Sequence, residues 1–193
     1  MTDMMLLKKI LLSLGIVFAG VTPSVAAKTS EPDFTYPRKV LADAYATLKA
    51  TEGRDDAAPQ RVRAVLEICT ASQSIDPDSA FSLVGAVEQL AAAETVKPAK
   101  SLMRLIDAKL LYSLYMRQKW VYDRIDTPAE PLPADISEWS GVQFRAQIAG
   151  RAKAAMAMAR DADVPLAEYS EAVKADNRTL IYFPTLADFV AVD

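Results

Sequence analysis

Pro37, Pro59, Pro77 and Pro98 each stand at the head of a stretch whose apolar residues recur every three or four positions. A proline in the first helical turn loses no hydrogen bond the helix needs, so it marks a start. Deeper in a helix it would remove a bond and clash with the preceding turn. This punctuation admits helices of limited length and little else. Glycine is scarce, no clear alternation of apolar and polar residues appears, and the frequent Ala, Leu, Lys, Arg and Glu favour helix.

The spacing predicts a first helix from Pro37 to about Ala50, with Val40, Leu41, Ala44 and Leu48 on one face. Gly53 and the Asp55-Asp56 pair end it. A second opens at Pro59 and carries Val62, Val65, Leu66 and Cys69. Asp76 is placed to cap the third, which begins at Pro77 and presents Phe81, Val84, Val87, Leu90 and Ala91. The fourth runs from Pro98 to Arg124, lined by Leu102, Leu105, Ile106, Leu110, Leu114 and Val121. It should lie centrally, with neighbours on more than one side.

Pro128, Pro131 and Pro133 bar a helix from a connector over 126–139. Ser140 and Gln143 form a capping-box pattern for a fifth helix reaching about Arg160, with Phe144, Ile148, Ala152, Ala155 and Met158 inward. Pro165 opens a short sixth helix with Leu166, Tyr169 and Val173. Leu180–Phe183 reads as a brief strand or an extended lead-in, and Pro184 as the start of one last turn with Leu186, Phe189 and Val190. The expected fold class is all-α: a multi-helix bundle, or a short helical-hairpin array, of about six helices. The proline steps lack a repeating signature that would establish an array.

Residues 1–26 read as a secretory signal peptide. Lys8 and Lys9 precede an apolar run, Ile10 to Val21, too short for a comfortable membrane span. Ser24-Val25-Ala26 offers small residues for cleavage after Ala26 or Ala27. The chain is therefore expected to be exported, periplasmic or associated with the cell envelope, and 27–193 to be a single helical domain. Removing 26 residues from 193 leaves 167, enough to bury about 70% of the unfolded surface. Without Asp3, Lys8 and Lys9, 22 basic and 25 acidic residues become 20 and 24, about −4. That balance argues against nucleic acid, which wants a basic stripe. No membrane contact beyond the signal peptide is expected.

The chain has no histidine, which excludes Ser-His-Asp and Cys-His catalysis and His-built metal sites. No glycine-rich phosphate loop is present, and no cofactor is expected. Cys69 is the lone cysteine, expected in the core rather than at a reactive site. Asp161-Ala162-Asp163 lacks the spacing of a calcium loop. An enzyme using carboxylates alone would need two acids facing across a cleft, roughly 5 to 9.5 Å apart in glycosidases; nothing in the spacing favours one. Trp120, Tyr122, Trp139, Phe144, Tyr182, Phe183 and Phe189 are the candidate contact or packing residues, with core packing the plainer role for most of them. The Leu180–Val190 segment is expected to pack across the helices and present a docking edge.

Three stretches carry a resemblance: Trp120-Val121-Tyr122-Asp123-Arg124; Asp135 to Ser140 with Gln143-Phe144; and Leu180 to Phe189. In this order, with the early Tyr36-Pro37, they resemble the N-terminal helical region of large exported alpha-2-macroglobulin-like proteins of Bacteroidales. The resemblance implies a non-catalytic leader of a protease-trapping inhibitor or envelope-defence protein, acting as scaffold or contact domain. Its partner would be a protein: the following domains of a larger chain or an envelope component. The family's Cys-x-Glu-Gln thioester motif is missing, since Thr70-Ala71-Ser72 follow Cys69, and no bait region or β-sandwich series is present. The chain would then be the leader alone. The alternative is a stand-alone periplasmic α-solenoid that binds a peptide or protein.

Overall fold

The computed structural model describes residues 35–126 and 131–191. The expected signal peptide lies outside them, as do residues 127–130 of the connector. Helix α1 spans Thr35–Ala50, α2 Ala58–Ile75, α3 Ala80–Ala93 and α4 Lys97–Arg117. A short α5, Lys119–Tyr122, precedes α6, Gly141–Ala162. Three short helices follow: α7 Ser170–Val173, α8 Asn177–Tyr182 and α9 Leu186–Val190. Single 3-10 turns at Asp55–Ala57, Pro77–Ser79 and Leu166–Tyr169 lead into α2, α3 and α7. The fold is an all-α, multi-helix bundle. Among the described residues no strand forms, and the extended pairing is an isolated antiparallel bridge of Pro165 with Thr185.

Local signals placed the main starts well. Pro59 and Pro98 fall in the opening positions of α2 and α4. Asp76 accepts from the Asp78 N–H at 2.9 Å, though it caps the 3-10 turn rather than α3 itself. At α6 the Ser140 N–H donates to Gln143 Oε1 at 2.9 Å, and the Gln143 N–H donates to Ser140 Oγ at 3.3 Å. Two orphan donors are thereby satisfied reciprocally.

Helix α4 is the axle. Leu102, Met103, Leu105, Ile106, Leu110, Leu111, Leu114 and Tyr115 are all buried, and they cover nearly its whole circumference. A helix apolar on every side needs neighbours on every side. α6 packs along one flank and α3 along another, α2 closes the set, and α1 lies on the outside of α2. Each buried Leu or Ile contributes roughly 1.5–3 kcal/mol.

The structure corrects the reading in four places. The fourth helix does not run unbroken to Arg124. It stops at Arg117, and Gln118 leaves helical geometry at φ −128°, ψ 32°. The turn lets Tyr122 fold back onto Phe144, whose ring lies 4.5 Å away. Leu180–Phe183 is neither strand nor extended lead-in: its first three residues end α8. Asp176 caps that helix by accepting from the Thr179 N–H at 2.8 Å and Thr179 Oγ1 at 2.7 Å. The last turn, α9, is capped by Thr185 and Asp188, not opened by Pro184. In α6 the inward stripe ends on Ala159, leaving Met158 half-buried.

Candidate contact surface and buried polar groups

Phe144, fully buried near the start of α6, gathers the aromatic residues of the bundle end. Tyr122 meets it at 4.5 Å, Trp139 edge-on at 5.4 Å and Tyr115 stacked at 5.6 Å between ring centroids. Such pairs add about 0.5–1.5 kcal/mol each beyond their area. Trp139 Nε1 donates to the Pro133 carbonyl at 2.8 Å, which ties the connector down. Tyr122, Trp139 and Phe144 are therefore packing residues.

With Tyr122 turned inward, Trp120 on the same short helix turns outward. It is 67% exposed, and the Arg124 guanidinium lies 5.7 Å from its ring. A charged knot forms around Asp123, just after this helix. Tyr115 Oη donates to Asp123 Oδ1 at 2.8 Å, and Arg145 Nη1 donates to Tyr115 Oη at 2.7 Å and to Asp123 Oδ1 at 2.9 Å. Lys119 Nζ binds the other Asp123 oxygen. The Lys119 hydrogen bond, then those from Tyr115 and Arg145, hold the Asp123 carboxyl below its ordinary range against the effect of burial. Gly141 makes the approach possible, since a Cβ there would stand 2.0 Å from Asp123 Oδ1.

A second aromatic group lies at the C-terminal end. Phe183, half-buried, meets buried Phe189 at 6.4 Å and Tyr182 at 6.5 Å. Leu186, Phe189 and Val190 are buried, mainly against α6 and α4. The Leu166 N–H donates to the Pro184 carbonyl at 3.0 Å, and the Leu186 N–H to the Val164 carbonyl at 2.9 Å. The segment thus packs across the helices. It leaves Ile181 at 78% and Tyr182 at 64% exposure, with Arg178 5.8 Å from the Tyr182 ring. Of the seven candidates, Trp120 and Tyr182 lie on the surface, Phe183 at its edge and the others inside. Among the described residues their ring contacts fall into two separate groups.

Three buried polar features escaped the sequence reading. Arg61 of α2 grips Glu94 through Nε to Oε2 at 2.8 Å and Nη2 to Oε1 at 2.9 Å. Its Nη1 donates to the carbonyls of Thr51, at 2.8 Å, and Arg54. Glu94 Oε1 also accepts from the N–H groups of Thr95 at 3.0 Å and Val96 at 2.9 Å. Burial by itself would raise Glu94; Arg61 and the two backbone donors overcome it and leave the carboxyl low. This hub joins the end of α1 and the α3–α4 turn to α2. The second feature is Asp107 of α4, whose Oδ1 accepts from Arg151 Nη1 of α6 at 2.7 Å. Burial pushes it up to about 6. The third is Lys109, whose Nζ is buried without a partner and whose pKa burial lowers to about 8. The signal for the last two was present: charges at 107 and 109 interrupt an apolar run.

Cys69 is buried on α2, and burial pushes its thiol up to about 12, the opposite of an activated nucleophile. Among the described residues no group of three His, Cys, Asp or Glu side chains is placed to hold a metal ion, and no helix is long and apolar enough to cross a membrane. No family model, curated protein or solved structure matches the chain.

Proposed function

We propose that this chain is a non-catalytic exported helical module, acting as a scaffold or contact domain toward a protein partner in the periplasm or cell envelope. The resemblance in the 120–124, 135–144 and 180–189 stretches further suggests the leader of an alpha-2-macroglobulin-like protease inhibitor. The observation that carries the contact role is Trp120. A large ring stands in water with an arginine on its face, on a helical turn held rigid by the Tyr122–Phe144–Trp139 cluster. Trp, Tyr and Arg on rigid supports dominate the binding energy of protein interfaces. Tyr182 with Arg178, beside Ile181, repeats the combination at the second edge.

A photoreactive phenylalanine analogue at position 120, 181 or, as control, exposed position 153 tests this in the native host. The expected result is a cross-linked species of defined size from 120 and 181 but not from 153. Trp120→Ala should leave the melting temperature unchanged while removing the partner species. Equal labelling from all three positions, or none from 120 and 181, refutes the contact role.

A further inference from the structure

Asp107 lies fully buried on α4, the helix against which α2, α3 and α6 pack. From α6, Arg151 gives Nη1 to Asp107 Oδ1 at 2.7 Å and turns Nη2 to Glu88 Oε2 of α3 at 3.2 Å. Arg104, one turn back on α4, stands 3.8 Å from Glu88 Oε1. Burial, and to a lesser degree the Asp107 charge, raises the Cys69 thiol of α2. A guanidinium fork commonly holds one carboxylate with two parallel bonds. Here the fork is divided between two carboxylates. Glu88 reaches solvent; Asp107 does not, and its Oδ2 has no hydrogen-bond partner. An ionised carboxylate at this depth leaves a charged acceptor unsatisfied, which is costly. A neutral carboxyl keeps Oδ1 as an acceptor for Arg151, removes the charge that Glu88 repels, and leaves on Oδ2 a neutral hydroxyl, which costs less to bury unpaired than an anionic oxygen.

We propose that Asp107 is a proton-binding site inside the bundle, and that proton uptake there stabilises the folded state relative to the unfolded chain. Burial raises the carboxyl, Glu88 adds to the rise, and Arg151 and Arg104 offset only part of it, so it titrates at about 6 against an ordinary 3.8. The folded state therefore holds this proton more firmly than the unfolded chain. The stabilising contribution is fully present below pH 3.8 and is lost as pH rises through about 6. Glu94 and Asp123, whose carboxyls are lowered by folding, act in the opposite sense. The effect is accordingly read as a difference between variants. On the proposed reading as an exported module, the chain meets the pH of its surroundings directly, and this group would make the stability of the bundle respond to it.

The test uses the full chain. Carbon-detected NMR follows the Asp107 carboxyl from pH 4 to 8, and urea unfolding compares wild type with Asp107→Asn over the same range. The resonance should titrate near pH 6. Relative to the Asn variant, the wild-type folded-to-unfolded ratio should fall about 50-fold from pH 4 to pH 7. In Glu88→Gln the midpoint should move down, and this arm and the wild-type titration stand even where the Asn variant fails to fold. A midpoint at or below 4, parallel pH dependence of wild type and Asp107→Asn, or a midpoint unmoved by Glu88→Gln overturns the proposal.

Discussion

Replacing Lys109 with methionine should make the protein more stable at pH 7, by about 2–3 kcal/mol. Lys109 is 4% exposed on α4, its Nζ has no hydrogen-bond partner, and burial lowers its pKa from 10.5 to about 8. Holding the proton at pH 7 across that gap costs on the order of 3 kcal/mol, at 1.36 kcal/mol for each factor of ten. Methionine keeps most of the length of the stem, fills an irregular gap readily and carries no charge. Imperfect fit takes back part of the gain. The sign follows from linkage. The folded pKa lies below the unfolded one, so the lysine weighs nothing above pH 10.5 and its full cost is felt once pH falls below about 8. The advantage of the variant should be widest near pH 7 and close toward pH 10.5. Urea unfolding followed by the fluorescence of buried Trp139 reads both limits. Equal stability at pH 7, or an advantage independent of pH, would show that the ammonium is compensated in place and would refute the reasoning.

Arg61→Met, which strands Glu94 inside, should cost about 3–5 kcal/mol in urea unfolding, and adding Glu94→Leu should recover part of it. Gly141→Ala should lower the melting temperature, with a cost of about 1–3 kcal/mol, because the new methyl collides with Asp123; Gly141→Ala in an Asp123→Ala background should cost less. Cys69 should react with a thiol reagent only as fast as the protein opens, and freely in denaturant, since the buried thiol is held near 12. Removing residues 180–193 should leave a helical protein of lower melting temperature; an unchanged value would mean that Leu186, Phe189 and Val190 contribute no packing.

The parts of the fold that were legible are those decided within one helical turn. Pro59, Pro98 and the Ser140–Gln143 box act on neighbouring backbone groups, so composition and spacing suffice to place them. The break at Gln118 was not legible, because what rewards it is Tyr122 meeting Phe144, a residue from another helix. Residues 180–183 were ambiguous, since four apolar residues fit a strand or a helix equally. The Asp176 cap, four residues upstream, settled the matter. The proposed contact surface was half legible: the aromatic residues were identified, but not their directions. Trp120 and Tyr122 are two positions apart on one helical turn, which puts them on nearly opposite sides. Which one enters the core depends on where Phe144 stands.

The same two-residue step explains the buried charges. Asp107 and Lys109 project about 200° apart on α4. Because neighbours surround that helix, no rotation about its axis brings both side chains to water. One charge must therefore find an internal partner, and Arg151 of α6 supplies it for Asp107 alone. A rotation of α4 by one residue, about 100°, would carry Asp107 away from Arg151. We therefore expect the Asp107–Arg151 pair to help set the rotation of α4 in the bundle, while Lys109, without a partner, carries the cost of a helix buried all round.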